Sequence, residues 1–126
     1  MLSDLHAGTV VPVRDVERAT RFYEDMLGLT GAPAPAGHRL DAGDGTVLYL
    51  LPSTDYPGEA AWPLASFRTD ELRAVTADLR ERGVELVSFS EGPQRTDADG
   101  IADMGAIRIA WFTDPDGNIF SIFGPA

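Results

Sequence analysis

The chain has 126 residues, the usual size of one domain, and 44% of them are hydrophobic, which is enough for a core without disulfides or a structural metal. The absence of cysteine excludes disulfides and zinc–thiolate sites, and no apolar run approaches the roughly 18 residues of a membrane span. The formal net charge is −10, and arginine supplies all ten of the Lys+Arg positions. This acidity argues against nucleic acid and membranes as partners, and the lack of a signal-peptide pattern at the N-terminus predicts a cytoplasmic protein.

The chain begins with a predicted strand and an amphipathic helix. Val10–Val13 is an apolar run of strand length. Asp15 is a suitable N-cap, and Gly28 stands where a left-handed residue ends a helix. Between them, apolar residues recur at helical spacing: Val16, Ala19, Phe22, Tyr23, Met26 and Leu27. This pattern predicts a helix that buries one face.

A loop and a hairpin are predicted next. Thr30–Ala36 contains Gly and Pro and is predicted to be a loop. His38–Asp41 and Thr46–Leu51 have the composition of strands, and Asp44-Gly45 between them is typical of a tight hairpin turn. Pro52–Pro63 is rich in Pro and Gly and predicts a link between two halves of the chain.

The second half repeats the strand and helix of the first. Leu64–Phe67 is a predicted strand, and Thr69 is a candidate cap for a helix that Gly83 ends. The apolar stripe of this helix consists of Leu72, Val75 and Leu79. Val16 corresponds to Leu72 and Gly28 to Gly83, so the pattern indicates a duplicated unit whose helix covers one face of a sheet.

The remainder of the second half is predicted to contain three strands and an acidic loop. The strands are Val84–Phe89, Ala106–Phe112 and Ile119–Phe123, and the loop is Ser90–Gly105. Asp114-Pro115-Asp116-Gly117 is a turn signal, with Pro at its second position and Gly at its fourth.

Three segments carry a family resemblance: Val13–Ala19 (VRDVERA), Phe22–Leu29 (FYEDMLGL) and Phe112–Asn118 (FTDPDGN). With these motifs in this order, the chain resembles the vicinal oxygen chelate superfamily, which includes glyoxalases, ring-cleaving dioxygenases, fosfomycin-resistance enzymes and bleomycin-resistance proteins. The resemblance implies an α+β fold of two βαβββ modules that form a cupped mixed sheet with helices on the outer face. It implies one domain over 1–126, with modules at about 5–52 and 64–124 and a linker over 53–63.

Enzymes of this superfamily hold a divalent metal in the cup through His, Gln or Glu. The resemblance places Gly8, Tyr49, Leu64 and Ser121 at those four positions. None of them is a carboxylate or imidazole ligand, so no metal, no cofactor and no catalytic residue are predicted. His6 is left open as a relocated ligand, because a strand would point it to the same face as Gly8. His38 lies on a different strand.

Without metal ligands, the cup is expected to be lined by apolar, aromatic and hydroxyl groups that suit an organic molecule. The predicted ligand-binding residues are Val10, Tyr49, Trp62, Leu64, Ser66, Trp111, Ser121 and Phe123. Pro52–Pro63 and Ser90–Gly105 are candidate lids, and the acidic residues of the second are consistent with a cationic ligand or with simple solvation. Arg68 and Arg108 are left open as partners of an anionic group or as exposed strand residues.

Three functions are compatible with these features. The first is a metal-free protein of the bleomycin-resistance type, a homodimer that sequesters an aromatic or cationic compound such as an antibiotic. The second is a lyase, isomerase or dioxygenase-like enzyme that uses a relocated metal or none, with Tyr49 and His38 as candidate acid and base. The third is a regulatory or scaffolding domain that has kept the fold and lost its site.

Overall fold

The first half of the chain folds as a four-stranded sheet with one helix. The computed structural model describes residues 1–126, and the chain divides into two units, Met1–Pro57 and Gly58–Ala126. The elements of the first unit are β1 (Thr9–Val13), α1 (Val16–Arg21), β2 (Thr30–Ala34), β3 (Gly37–Asp41) and β4 (Val47–Pro52), with short 3-10 turns at Leu2–Asp4 and Gly43–Gly45. The strand order is β1-β4-β3-β2, and β1 runs parallel to β4 while the other pairs are antiparallel.

The first helix begins and ends at the predicted residues. Asp15 Oδ1 accepts a hydrogen bond of 3.2 Å from the backbone N–H of Arg18, as expected of an N-cap. After α1 the chain continues as a π-helical turn over Phe22–Met26, and Gly28 follows with φ of +74°. This positive φ is the left-handed conformation that favours glycine after a helix.

The prediction of a loop over Thr30–Ala36 is wrong, because most of this segment forms β2. It pairs with β3 along its length, with Pro33 opposite His38. β2 lies at the edge of the sheet and has a neighbour on one side only. A proline, which has no N–H to donate, is tolerated at such an edge. The Gly and Pro residues of the segment are typical of a loop, and the strand forms because the segment pairs with β3.

The second half of the chain forms another four-stranded sheet. Its elements are β5 (Ser66–Arg68), α2 (Leu72–Glu81), β6 (Ala102–Asp103), β7 (Ile107–Thr113) and β8 (Ile119–Pro125). The strand order is β5-β8-β7-β6, with β5 parallel to β8 and the other pairs antiparallel. In chain order both units have the βαβββ arrangement, so the predicted α+β fold of two βαβββ modules is confirmed.

The predicted strand Val84–Phe89 is reduced to a single bridge between Leu86 and Phe112. The edge of β7 is divided between two partners, which explains the difference. Val87 N donates to Trp111 O at 2.8 Å near one end of β7, whereas Ala102–Asp103 pairs with the other end. Neither partner can extend along the whole edge, and β6 arises within the segment predicted to be a loop.

In each unit one face of the sheet packs on the helix. Val11, Tyr23 and Leu50 are completely buried in the first unit. In the second, the rings of Phe112 and Phe120 stack with their centroids 5.4 Å apart. Side chains alternate along a strand, so the residues between these positions point to the opposite face of each sheet. This surface is here called the open face; it carries Val10 and Tyr49 in the first unit and Trp111 and Ser121 in the second. None of the helices has the length and hydrophobicity of a membrane-spanning segment.

Candidate functional site

The open face of the first sheet carries two of the predicted ligand-binding residues side by side. Val10 on β1 is in register with Tyr49 on β4, and Tyr49 is in turn opposite Arg39 on β3. Val10 is 54% exposed and Tyr49 is half-buried. Arg39 Nε lies 3.2 Å from Asp41 Oδ1, so this arginine already has an anionic partner. An aromatic hydroxyl and an exposed apolar residue thus share one surface.

Gly8 lies against the same surface and has no room for a larger side chain. A Cβ atom at this position would lie 2.6 Å from Val47 Cγ2 and 2.8 Å from Tyr49 Cε2. A histidine here would have to displace the tyrosine ring. The position at which the resemblance implies a metal ligand is therefore occupied by the side chains of the neighbouring strand.

Three of the predicted residues form one row across the second sheet. Ser66 on β5 is in register with Ser121 on β8, and Ser121 is opposite Trp111 on β7. Ser121 Oγ donates a hydrogen bond of 2.7 Å to Ser66 Oγ, and Ser121 is only 2% exposed. The hydroxyl at this second metal position is thus engaged with another serine. Phe123 lies two residues along β8 on the same open face and is half-buried.

Trp111 is 5% exposed although it points to the open face. The ring of Phe89 meets it edge-on, with centroids 5.2 Å apart and an interplanar angle of 85°. The predicted ligand-binding residues do not include Phe89. Val87 and Phe89 are two positions apart in the predicted strand Val84–Phe89, and this spacing predicts that their side chains lie on the same face.

Leu64 and Trp62 precede β5 instead of lying within a strand. Leu64 N donates to Ile119 O at 2.8 Å, so the backbone here still runs beside β8, but a leucine side chain has no donor atom for a metal. Trp62 is 66% exposed in the preceding loop. The predicted start of the strand at Leu64 is therefore two residues too early.

Neither histidine belongs to a set of metal ligands. His6 is exposed and precedes β1, so the strand alternation that was expected to align it with Gly8 does not apply. His38 Nε2 lies 3.1 Å from Glu24 Oε2 of the π-helical turn. No group of three or more His, Cys, Asp or Glu residues is arranged to hold a metal ion. The residues present at the four family positions do not fit a divalent metal.

The candidate acid–base pair of Tyr49 and His38 is also separated. His38 is in register with Leu50, the neighbour of Tyr49 along β4. Because successive residues of a strand point to opposite faces, His38 lies on the helix face and Tyr49 on the open face. These two groups cannot exchange a proton with the same substrate atom, which contradicts the proposed pairing.

The acidic loop predicted as a lid is tied to α2. Arg73 Nη2 lies 3.1 Å from Asp97 Oδ2 and Arg73 Nη1 lies 2.9 Å from Asp99 Oδ2. Arg80 Nη2 also donates to the backbone carbonyl of Asp99 at 2.8 Å. The hydrogen bond from the backbone N–H of Ile101 is the main cause that lowers the pKa of Asp97 from its ordinary value, and the Arg73 guanidinium adds to the effect. These two carboxylates are therefore paired and do not form a free surface for a cationic ligand.

Comparison with known proteins supports the fold and the family. A protein from Streptomyces sp. CB03234 described as the antibiotic binding protein TnmS3 is 31% identical, with 97% of this chain and 96% of that chain covered and a TM-score of 0.69. A glyoxalase/bleomycin resistance protein from the same strain is 32% identical over 97% of this chain and 100% of that chain, with a TM-score of 0.63. A glyoxalase/bleomycin resistance protein from Catenulispora acidiphila is 25% identical over 97% and 99% of the two chains, with a TM-score of 0.68.

The sequence pattern of one superfamily extends over nearly the whole chain, from residue 6 to residue 122. Both units described above lie mostly within this range. The chain belongs to the Glyoxalase/Bleomycin resistance protein/Dioxygenase superfamily.

Proposed function

We propose that this protein is a metal-free binding protein of the glyoxalase/bleomycin-resistance type, which sequesters an aromatic or cationic small molecule such as an antibiotic. The observation that carries the proposal is the chemistry of the four family ligand positions, Gly8, Tyr49, Leu64 and Ser121. One has no side chain, one is a hydrocarbon, one is a phenol, and one is a serine hydroxyl that is hydrogen-bonded to another serine. Imidazole and carboxylate groups, which bind divalent metals in such sites, are missing from all four.

The open faces offer groups that suit an organic ligand. Tyr49 on the open face and the exposed Trp62 in the loop before β5 provide aromatic surface at a low cost in side-chain entropy, and the hydroxyl of Tyr49 can fix the orientation of a polar group. The proposed binding residues are Val10, Tyr49, Trp62, Leu64, Ser66, Trp111, Ser121 and Phe123. The overall charge of −10 favours the approach of a cation. An antibiotic binding protein that is 31% identical over almost the whole chain adds support for this class of ligand.

The proposal is tested by titrating the purified protein with metal-free bleomycin in the presence of a chelator. The change in tryptophan fluorescence reports binding, and mass spectrometry of the recovered compound reports any chemical change. We expect a saturable signal and an unaltered ligand mass. Conversion of the ligand, or binding that requires an added metal ion, would contradict sequestration and favour the enzymatic alternative.

A pair of variants that each lose one hydroxyl group sharpens this test. Tyr49→Phe removes the hydroxyl on the open face, whereas Ser3→Ala removes a hydroxyl from an exposed residue of the N-terminal 3-10 turn. We expect the first change to weaken binding by a factor between about two and ten, the value of one neutral hydrogen bond, and the second to have no effect. Equal affinities for the two variants would contradict a role for Tyr49.

The same proposal includes a homodimer in the cytoplasm. The dimer follows from the habit of the superfamily, and the proposed location is consistent with a chain without cysteine, which suits a reducing compartment. Light scattering coupled to size-exclusion chromatography measures the mass in solution. A monomer at the concentrations used for ligand titration would contradict the dimeric part of the proposal.

A further inference from the structure

A cavity on the helix face of the second sheet is lined by three arginines and by two aspartates, Asp97 and Asp103, in a protein of net charge −10. The volume of the cavity is about 280 Å³, and it lies between Arg73 of α2, Arg95 and Arg108 of β7. Arg108 is three residues from Trp111 along β7, so the two side chains point to opposite faces of the sheet. The cavity is therefore distinct from the open face discussed under the proposed function.

One of the three arginines is held in place by the acidic loop. The guanidinium of Arg73 forms ion pairs with both Asp97 and Asp99. Asp97 in turn accepts hydrogen bonds of 2.9 Å and 3.0 Å from the backbone N–H groups of Asp99 and Ile101, and the same bonds keep it ionised. The charge of Arg73 is thus largely compensated, and the pairs fix the loop beside the cavity.

The guanidinium groups of the other two arginines form no ion pair. Neither Arg95 nor Arg108 forms an ion pair or a hydrogen bond through its guanidinium. Asp103 stands directly opposite Arg108 in the pairing of β6 with β7, but its Oδ1 instead accepts a hydrogen bond of 2.9 Å from Gly105 N. Asp103 is the one carboxylate of the lining without an ion pair, so the two free guanidinium groups outnumber it and leave a net positive charge at the cavity that one anion can balance.

We propose that this cavity binds a small oxyanion, the phosphate or carboxylate group of a metabolite. Guanidinium groups match both kinds of oxyanion through paired N–H donors. The cavity volume of about 280 Å³ is sufficient for a small molecule. A second cavity of about 190 Å³ shares Arg73, Arg108 and Ile101 and reaches Thr69–Leu72 at the start of α2. Asp70 and Glu71 belong to its lining, so it has room for an uncharged or cationic remainder of the molecule but not for a second anionic group.

Inorganic phosphate and succinate are the probes for the test, each added at constant ionic strength with chloride as the balancing salt. Proton–nitrogen correlation spectra of the arginine side chains follow the binding. We expect saturable shifts at Arg95 and Arg108. We expect Arg95→Gln and Arg108→Gln each to weaken binding about tenfold to a hundredfold, the factor for a hydrogen bond to a charged group.

Arg18→Gln is the matched control, because Arg18 is an exposed arginine of α1 in the other unit. Its affinity for both probes should equal that of the unchanged protein. Shifts that appear equally with chloride, or that persist in both pocket variants, would overturn the proposal, since they would reflect general screening. Tighter binding of phosphate or of succinate identifies which oxyanion the site prefers. The bleomycin titration tests the open face, so its outcome does not decide whether the arginine-lined cavity binds an oxyanion.

Discussion

Asp114 and Asn118 belong to a segment that carries the family resemblance, yet their side chains are used for folding. Asp114 Oδ1 accepts hydrogen bonds of 2.9 Å from the backbone N–H groups of Asp116 and Asn118. Asn118 Nδ2 donates to Asp114 Oδ2 at 2.9 Å, and Asn118 Oδ1 accepts from Gly58 N at 2.9 Å. Both side chains are buried, so these polar groups depend on one another. The motif closes the turn between β7 and β8 and attaches the loop at Gly58.

Replacement of Asn118 should therefore destabilise the protein without touching the open faces. Asn118→Ala removes the buried hydrogen bond to Asp114 Oδ2 and the side-chain acceptor of Gly58 N, and we expect the free energy of unfolding to fall by about 1–3 kcal/mol. Urea denaturation followed by circular dichroism measures this loss. Glu59→Ala is the control, since Glu59 is an exposed neighbour of Gly58 and its loss should cost less than about 0.5 kcal/mol. Equal stability of the two variants would show that the bonds of Asn118 are dispensable.

At the level of secondary-structure elements, the end of β8 approaches the start of α2 closely. Thr69 N donates to Phe123 O at 2.9 Å, and Thr69 Oγ1 accepts from Glu71 N at 3.0 Å as α2 begins. Gly124 makes this approach feasible, because a Cβ atom there would collide with the backbone carbonyl oxygen of Thr69. The entry of the chain into α2 thus depends on a residue more than fifty positions later.

Two alanine substitutions test this close approach. Gly124→Ala forces backbone away from backbone, so we expect it to lower the free energy of unfolding by about 1–3 kcal/mol. Gly43→Ala is the matched control, since nothing lies within 4 Å of its Cβ position and its φ is not positive. There the loss of freedom in the unfolded chain should stabilise by about 0.4–1 kcal/mol. Thermal and urea unfolding should show that Gly124→Ala lowers the free energy of unfolding and that Gly43→Ala raises it. An unchanged free energy of unfolding in Gly124→Ala would contradict the importance of this close approach.

For the whole molecule, the distribution of ligating groups predicts that stability does not depend on a metal. The four family positions lack ligands, and no other cluster of His, Cys, Asp or Glu replaces them. Dialysis against a chelator should leave both the unfolding temperature and the bleomycin-induced fluorescence change unaltered. A bound metal at a hundred times its dissociation constant would add about 2.7 kcal/mol, which corresponds to several degrees. Elemental analysis that found a stoichiometric divalent ion would contradict this prediction.

Much of the fold could be predicted from sequence because the relevant interactions are local. The helix of the first half follows from apolar spacing between Asp15 and Gly28, and the hairpin turn follows from Asp44-Gly45, whose φ angles of 55° and 75° are those of a left-handed turn. The absence of ligands at Gly8 and Leu64 could also be recognised, since it depends only on residue type. Caps, turns and side-chain periodicity involve residues within a few positions of one another.

Only the tertiary structure decided the features that depend on distant partners. β2 is a strand because β3 offers an edge to pair with, and Val84–Phe89 is not one because β6 takes part of the edge of β7. Register placed Tyr49 and His38 on opposite faces. Ion pairs across more than twenty positions bound the acidic loop to Arg73. Composition and periodicity do not indicate which distant residue pairs with a strand edge or with a charged side chain. These features can therefore be identified only in the folded structure.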